Sequence, residues 1–195
     1  MEPTSVLPPD PSDVTPTLDI SFASEGELRD MLPYNLGRYR LMEVLGEGGM
    51  ARVFQAVLQG PAGFQKTVAI KIIKSHQDGE KARAGLMKEA VLACRLNHPN
   101  IVDIYELVED SGQTFIAMEW VDGSTLTQLI RSWPPMPPSV VLEVFLSLLD
   151  GIEYAHTPQI EAGRPGMLHK DIKPANILLS RHGIPKLVDF GIAAQ

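Results

Sequence analysis

The sequence predicts an α+β fold in two parts, a five-stranded antiparallel sheet with one helix followed by a mainly helical region. Between Tyr39 and Glu119, short alternating or apolar runs are separated by turn residues, the pattern of strands joined in series. Beyond Trp120-Val121-Asp122-Gly123, apolar residues recur at helical spacing instead. A hydrophobic content of 44% beside 21% charged residues belongs to a chain that buries a core.

Residues 1–36 scatter Pro3, Pro8, Pro9, Pro11, Pro16 and Pro33 among Ser, Thr and acids. Little apolar surface is on offer there to offset the entropy of ordering, so a flexible leader is expected. Its hydroxyls also suit a docking or phosphoacceptor tail. Residues 37–119 form the sheet region. Strands are expected at 39–45, 52–58 and 67–73, with Gly60-Pro61-Ala62-Gly63 turning the chain before the third. Leu86, Ala90, Ala93 and Cys94 lie at helical spacing within 80–96, and Pro99 follows that helix. Cys94 reads as a small buried hydrophobe on its packed face. Two more strands, 101–108 and 114–119, complete the sheet.

Residues 120–195 form the second region. Ser124 is placed to cap a short helix ending at Ile130 or Arg131. After a stiff Pro-rich spacer, 139–156 carries Val141, Val144, Phe145, Leu148 and Ile152 along one face, a core helix. Short strands are expected at 177–179 and 186–188.

Charge and cysteine content narrow the function. Seven acids and one base within 1–36 account for −6 of the net charge of −7, so nothing resembles a nucleic-acid footprint. A lone cysteine forms no internal disulfide. The sequence offers neither a signal peptide nor a membrane span, and a cytoplasmic location is expected.

Three clusters suggest chemistry. Gly46-Glu47-Gly48-Gly49-Met50-Ala51 sits between two strands, where a glycine hairpin can bring backbone N–H groups close to phosphate oxygens. A plain turn is the other reading of that cluster alone. A strand follows it, so it is no dinucleotide fingerprint, and it lacks the ending of a P-loop. Lys71 interrupts an apolar strand, where a buried cation needs a partner. Glu89 is the expected one, unless Lys71 reaches solvent at a strand edge. The third cluster is His169-Lys170-Asp171-Ile172-Lys173-Pro174-Ala175-Asn176 followed by Asp189-Phe190-Gly191. Asp171 is suited to accept a hydroxyl proton, Lys173 to neutralise a moving phosphoryl group, and Asn176 and Asp189 to ligate Mg²⁺. His169 is expected to serve structure.

In this order the motifs resemble the Hanks-type (eukaryotic-like) Ser/Thr protein kinases, and Gly48-Gly49-Met50 resembles their bacterial branch. The resemblance covers residues 39–195. It implies a bilobal kinase fold with a small lobe at 37–119, then a hinge and an incomplete, mainly helical large lobe at 120–195. It implies an enzyme that uses ATP and Mg²⁺ to phosphorylate Ser or Thr hydroxyls of proteins. Nucleotide contacts would come from Leu45, Gly46, Glu47, Gly48, Gly49, Met50, Ala51, Arg52, Val53, Ala69 and Lys71. Met118 would stand beside adenine, with the backbones of Glu119 and Val121 bonding its edge. Asp171, Lys173, Lys71 and Glu89 would be catalytic, and Asn176 and Asp189 would hold the metal.

The sequence departs from the family pattern at Ala51, where a third glycine is usual, and at Lys170, where Arg is usual. It also stops just past Asp-Phe-Gly, before the activation segment and the later helices. The helix at 139–156 should therefore expose apolar side chains. A nucleotide-binding or interaction module without phosphotransfer is the competing expectation.

Overall fold

The computed structural model describes Ile20 and residues 23–49, 51–74, 87–88, 90–110, 113–132, 135–159, 163 and 165–190. Regular structure begins earlier than expected. Ser24 caps helix α1 (Glu25–Met31): the Glu27 N–H donates to the Ser24 hydroxyl oxygen at 3.3 Å, and the Ser24 N–H donates to the Glu27 carboxylate at 2.6 Å. The reciprocal pair satisfies donors that a helix start leaves open. Strand β1 (Tyr34–Leu36) then pairs antiparallel with β2 (Tyr39–Glu47).

These elements correct the expectation of a flexible leader for Ile20 and for 23–36; the rest of 1–36 lies outside the described residues. Ile20, Ala23, Leu28 and Leu36 are all buried in one cluster with Leu41, Phe54, Val68, Ile70 and Phe115. Average composition hid this because the apolar residues are few. Each is nonetheless fully used, and burying Ile20 or Leu28 is worth about 1.5–3 kcal/mol.

The first sheet has six strands, not five. With β3 (Ala51–Gln59), β4 (Gln65–Ile73), β5 (Ile104–Asp110) and β6 (Gln113–Glu119), its order is β1-β2-β3-β4-β6-β5. Strand β4 is covered on both faces, which explains its unbroken apolar run. Val68, Ile70 and Ile72 join the cluster that holds α1. Ala69 and Ile73 point the other way, beside Val102, Ile116, Met118 and Val121, and Lys71 shares their parity. Residues 87–88 and 90–93 are helical, while 80–86 and 89 lie outside the described residues. Ala90 and Ala93 are buried there, but Cys94 is exposed because the chain turns out of the helix at that point.

The second region contains β7 (Gly123–Thr125), α2 (Leu126–Ser132), α3 (Pro138–His156), β8 (Ile177–Ser180) and β9 (Pro185–Leu187). Its three strands are ordered β7-β8-β9. The cap of α2 is Thr125, the last residue of β7 and not Ser124, since its hydroxyl oxygen accepts the Gln128 N–H at 3.1 Å. Helix α3 buries Val144, Leu148, Gly151 and Ala155. Val141 and Phe145, expected on the core face, are exposed, as are Leu142, Leu146 and Leu149. The buried stripe is thus narrower than the apolar one. Asn100 and Val102 join the two regions through Leu187: its N–H donates to the Asn100 carbonyl at 2.8 Å, and its carbonyl accepts from Val102 at 3.0 Å. Among the described residues, no helix is long and apolar enough to cross a membrane.

Candidate active site

The segment before β8 is held from below by His169. Its ring is buried, and the Nε2–H donates to the Val188 carbonyl at 2.9 Å while Nδ1 accepts the Asp171 N–H at 3.3 Å. Burial is the main cause that pushes its pKa below the ordinary value, which favours the neutral ring that this pattern requires. The ring packs on Phe190, with centroids 4.5 Å apart. His169 is structural, as its setting in the sequence suggests.

Asp171 is oriented by two neighbours that share one of its oxygens. The Lys173 ammonium donates to Oδ2 at 2.7 Å, and Asn176 Nδ2 donates to the same atom at 3.0 Å and to the Asp171 carbonyl at 2.9 Å. The Lys173 hydrogen bond is the largest cause that holds this carboxyl below the usual carboxylate range. It is ionised at neutral pH, and both side-chain donors bond Oδ2 rather than Oδ1. Asn176 uses Nδ2 for both bonds, which leaves its amide oxygen available as a ligand.

Lys71, buried on β4, donates to Asp189 Oδ1 at 2.6 Å. The expected Lys71–Glu89 pair lies outside the described residues, since 89 is not among them. Asp189 has φ of 65°, a left-handed conformation that follows directly on Val188, whose N–H donates to the Asn176 carbonyl at 3.1 Å. That bond draws the Asp189 segment beside Asn176. A chain of bonds therefore links the sheet to the second region, from Lys71 to Asp189 and from the Val188 backbone through Asn176 to Asp171 and Lys173. Asp189 and Asn176 offer a carboxylate and an amide oxygen, a hard donor set that fits Mg²⁺ if phosphates and water complete the shell.

The apolar side of the cleft also assembles. Ala51, Ala69, Met118 and Val121 are buried in one cluster, with Val53 packed against it. Leu178 joins them and was missed in the sequence reading. The alternation of β8 could have found it, because Leu178 lies two residues past buried Asn176 on a strand pairing with β7 and β9. Glu119 uses its carboxylate to hold Lys186 at 2.7 Å and the Asp103 N–H at 3.3 Å, and its own N–H donates to the Asp103 carbonyl at 2.8 Å.

In the glycine hairpin, Gly48 donates to the Ala51 carbonyl at 2.9 Å, and Met50 lies outside the described residues. Leu45, Gly46 and Gly49 are exposed along it. Glu47 and Arg52 belong to the expected nucleotide-contact set, and their side chains bond one another at 2.8 Å. Lys74 first, then Arg52, hold the Glu47 carboxyl below its ordinary value. Arg52 is buried and also donates to the Ile20 carbonyl at 2.9 Å, so its side chain turns toward the N-terminal segment. The reason is parity: Arg52 and Phe54 share one face of β3, and that face packs on α1.

Comparison with known proteins agrees with this geometry. Residues 39–195 match the protein kinase domain model. The serine/threonine-protein kinase PrkC of Bacillus subtilis is 40% identical over 159 residues, covering 80% of this chain and 23% of that protein. The tyrosine-protein kinase MasK of Myxococcus xanthus is 39% identical over 169 residues, covering 83% and 26%. The chain thus spans about a quarter of the length of these relatives. Among solved structures, the PknI kinase domain of Mycobacterium tuberculosis superposes with a TM-score of 0.66 at 30% identity, covering 84% of this chain and 63% of that one. With the family model matched from the second strand onward and the fold shared with a solved kinase domain, this chain belongs to the protein kinase domain family, in its Hanks-type bacterial branch.

Proposed function

We propose that the cleft binds ATP with Mg²⁺ and transfers the γ-phosphoryl group to a Ser or Thr hydroxyl of a protein. The observation that supports this best is the pairing of Lys71 with Asp189 at 2.6 Å, beside an Asp171 carboxylate oriented by Lys173 and Asn176. In this reading Val53, Ala69, Met118, Val121 and Leu178 enclose the adenine ring, and the glycine hairpin lies over the phosphates. Lys71 holds phosphate oxygens by its ammonium. When bound, Mg²⁺ held by Asn176 and Asp189 neutralises phosphate charge.

Asp171 positions the substrate hydroxyl through Oδ1 and takes its proton as the new oxygen–phosphorus bond forms. The bond from phosphorus to the β-phosphate oxygen breaks, and ADP leaves. The lowered pKa of Asp171 keeps it ionised to receive that proton late in the step. Lys173, already on Asp171 Oδ2, is placed to offset charge on the phosphoryl oxygens. The Asp171-Ile172-Lys173 wording favours Ser/Thr over Tyr as acceptor, and it does so although MasK, a relative, is described as a tyrosine-protein kinase. A cytoplasmic site belongs to the same proposal.

Phosphoryl transfer from labelled ATP to a mixed protein substrate, with phosphoamino-acid analysis of the product, tests it. Asp171→Asn should lower turnover by about 10²–10⁴-fold while nucleotide affinity holds. Nucleotide binding without any turnover in the unsubstituted chain would instead make it a binding module, and phosphotyrosine as product would overturn the Ser/Thr assignment.

A further inference from the structure

The outer face of the sheet, opposite the cleft, is covered by the N-terminal segment, and one buried side chain links that segment to the glycine hairpin. Arg52 lies at the base of the hairpin, paired across the strands with Glu47. Its guanidinium is buried, donating through one terminal nitrogen to the Ile20 carbonyl at 2.9 Å and through the other to Glu47 at 2.8 Å. Its Nε has no partner among the described residues. Glu47 in turn receives Lys74 at 2.6 Å, and Lys74 also donates to the Gly48 carbonyl at 3.0 Å. The chain of contacts runs Ile20, Arg52, Glu47, Lys74, Gly48.

We propose that Ile20 and helix α1 form a strap that fixes the glycine hairpin, so that docking of the N-terminal segment sets nucleotide affinity. The physical basis is the cost of a buried guanidinium. With Ile20 in place, Arg52 is covered, loses water, and must keep both acceptors, which pins Glu47. When the strap lifts, Arg52 becomes hydrated and its hold on Glu47 weakens to that of an exposed pair. The hairpin is then free to move away from the phosphates. The strap itself is held by apolar packing of Ile20, Ala23 and Leu28 against Leu41, Phe54 and Ile70, far from any reacting atom. Arg52 is a positioning residue here, acting through Glu47 and Gly48.

The nucleotide part of this inference rests on the proposed function, whereas the mechanical coupling does not. The test therefore uses two readouts on the full chain. Ile20→Asp places a charge in the apolar seat of the strap. Arg52→Lys retains the charge, but a single ammonium cannot span both acceptors as the guanidinium does. Amide hydrogen exchange without nucleotide should quicken at 46–49 in both variants, directly through the lost Glu47 bond in Arg52→Lys and through Arg52 in Ile20→Asp. Mg-ATP affinity, measured by calorimetry at a temperature where circular dichroism shows the variants folded, should weaken by about five-fold or more. If Ile20→Asp does not fold, Arg52→Lys alone decides. Faster exchange confined to 23–36, with 46–49 unchanged, would overturn the strap. So would unchanged exchange throughout, or unaltered affinity in variants whose hairpin has loosened. An unsubstituted chain that fails to bind nucleotide would instead sink the proposed function, and the exchange readout would still decide the coupling.

Discussion

His169 shows how one buried side chain can shape a site through the backbone of its neighbours. Its neutral ring bridges the Asp171 N–H and the Val188 carbonyl, and so fixes both edges of the cleft floor. Burial lowers its pKa from 6.5, so the unfolded chain binds the proton more readily than the folded one. Stability from this group is therefore complete above the unfolded value and declines as pH falls from about 6.5 toward the folded value. Thermal denaturation at pH 7.5 and pH 5.5 should show a lower midpoint at the acid value, and His169→Gln should flatten that difference while lowering both midpoints. An unchanged slope in the variant would contradict the account. At this scale the sequence was informative where spacing sets contact, as at Asp171 and Asn176, which bond one another. It was silent on the Arg52 side chain, which strand parity turns to the Ile20 carbonyl.

At the scale of elements, the site depends on close backbone approach within the second sheet. A Cβ at Gly123 would lie 2.1 Å from the Leu179 carbonyl oxygen, a contact with backbone that no side-chain rotation relieves. Gly123→Ala should cost about 1–3 kcal/mol by overpacking, read as a lowered denaturation midpoint. A midpoint equal to that of the unsubstituted chain would show that β7 sits less tightly on β8. Strands β2, β3, β4 and β6 were legible because alternation and turn residues mark them directly. Helix α1 and strand β1 were not, since each is short and, beyond the Ser24–Glu27 capping pair that the sequence does carry, their stability comes from contacts with distant Phe54 and Ile70. Local composition records none of those contacts. The cap of α2 was misplaced by one residue: Ser124 and Thr125 are equal candidates by type and both pair with β8, and only the Thr125 hydroxyl receives the Gln128 N–H.

Across the whole molecule, two surfaces differ in kind. The polar residues of the site are paired with one another, whereas helix α3 presents Leu142, Phe145, Leu146 and Leu149 with 53–59% of their surface exposed. Such a contiguous apolar face favours association. Sedimentation velocity should show mass rising with concentration, and Leu142→Glu with Phe145→Glu should suppress that rise; a monomer at every concentration would contradict it. The order of motifs made the two-part architecture readable, because each motif ends on an element that the next must meet. What the order could not reveal was the partner that Lys71 takes, since proximity across 118 positions is settled only by the fold. The most direct trial of the central claim is calorimetric titration with ATP, with and without Mg²⁺, on the unsubstituted chain and on Asp189→Asn. The account predicts tight binding that requires Mg²⁺ in the former and loses most of its metal dependence in the latter. Equal affinity with and without the metal, or metal dependence that survives Asp189→Asn, would contradict it.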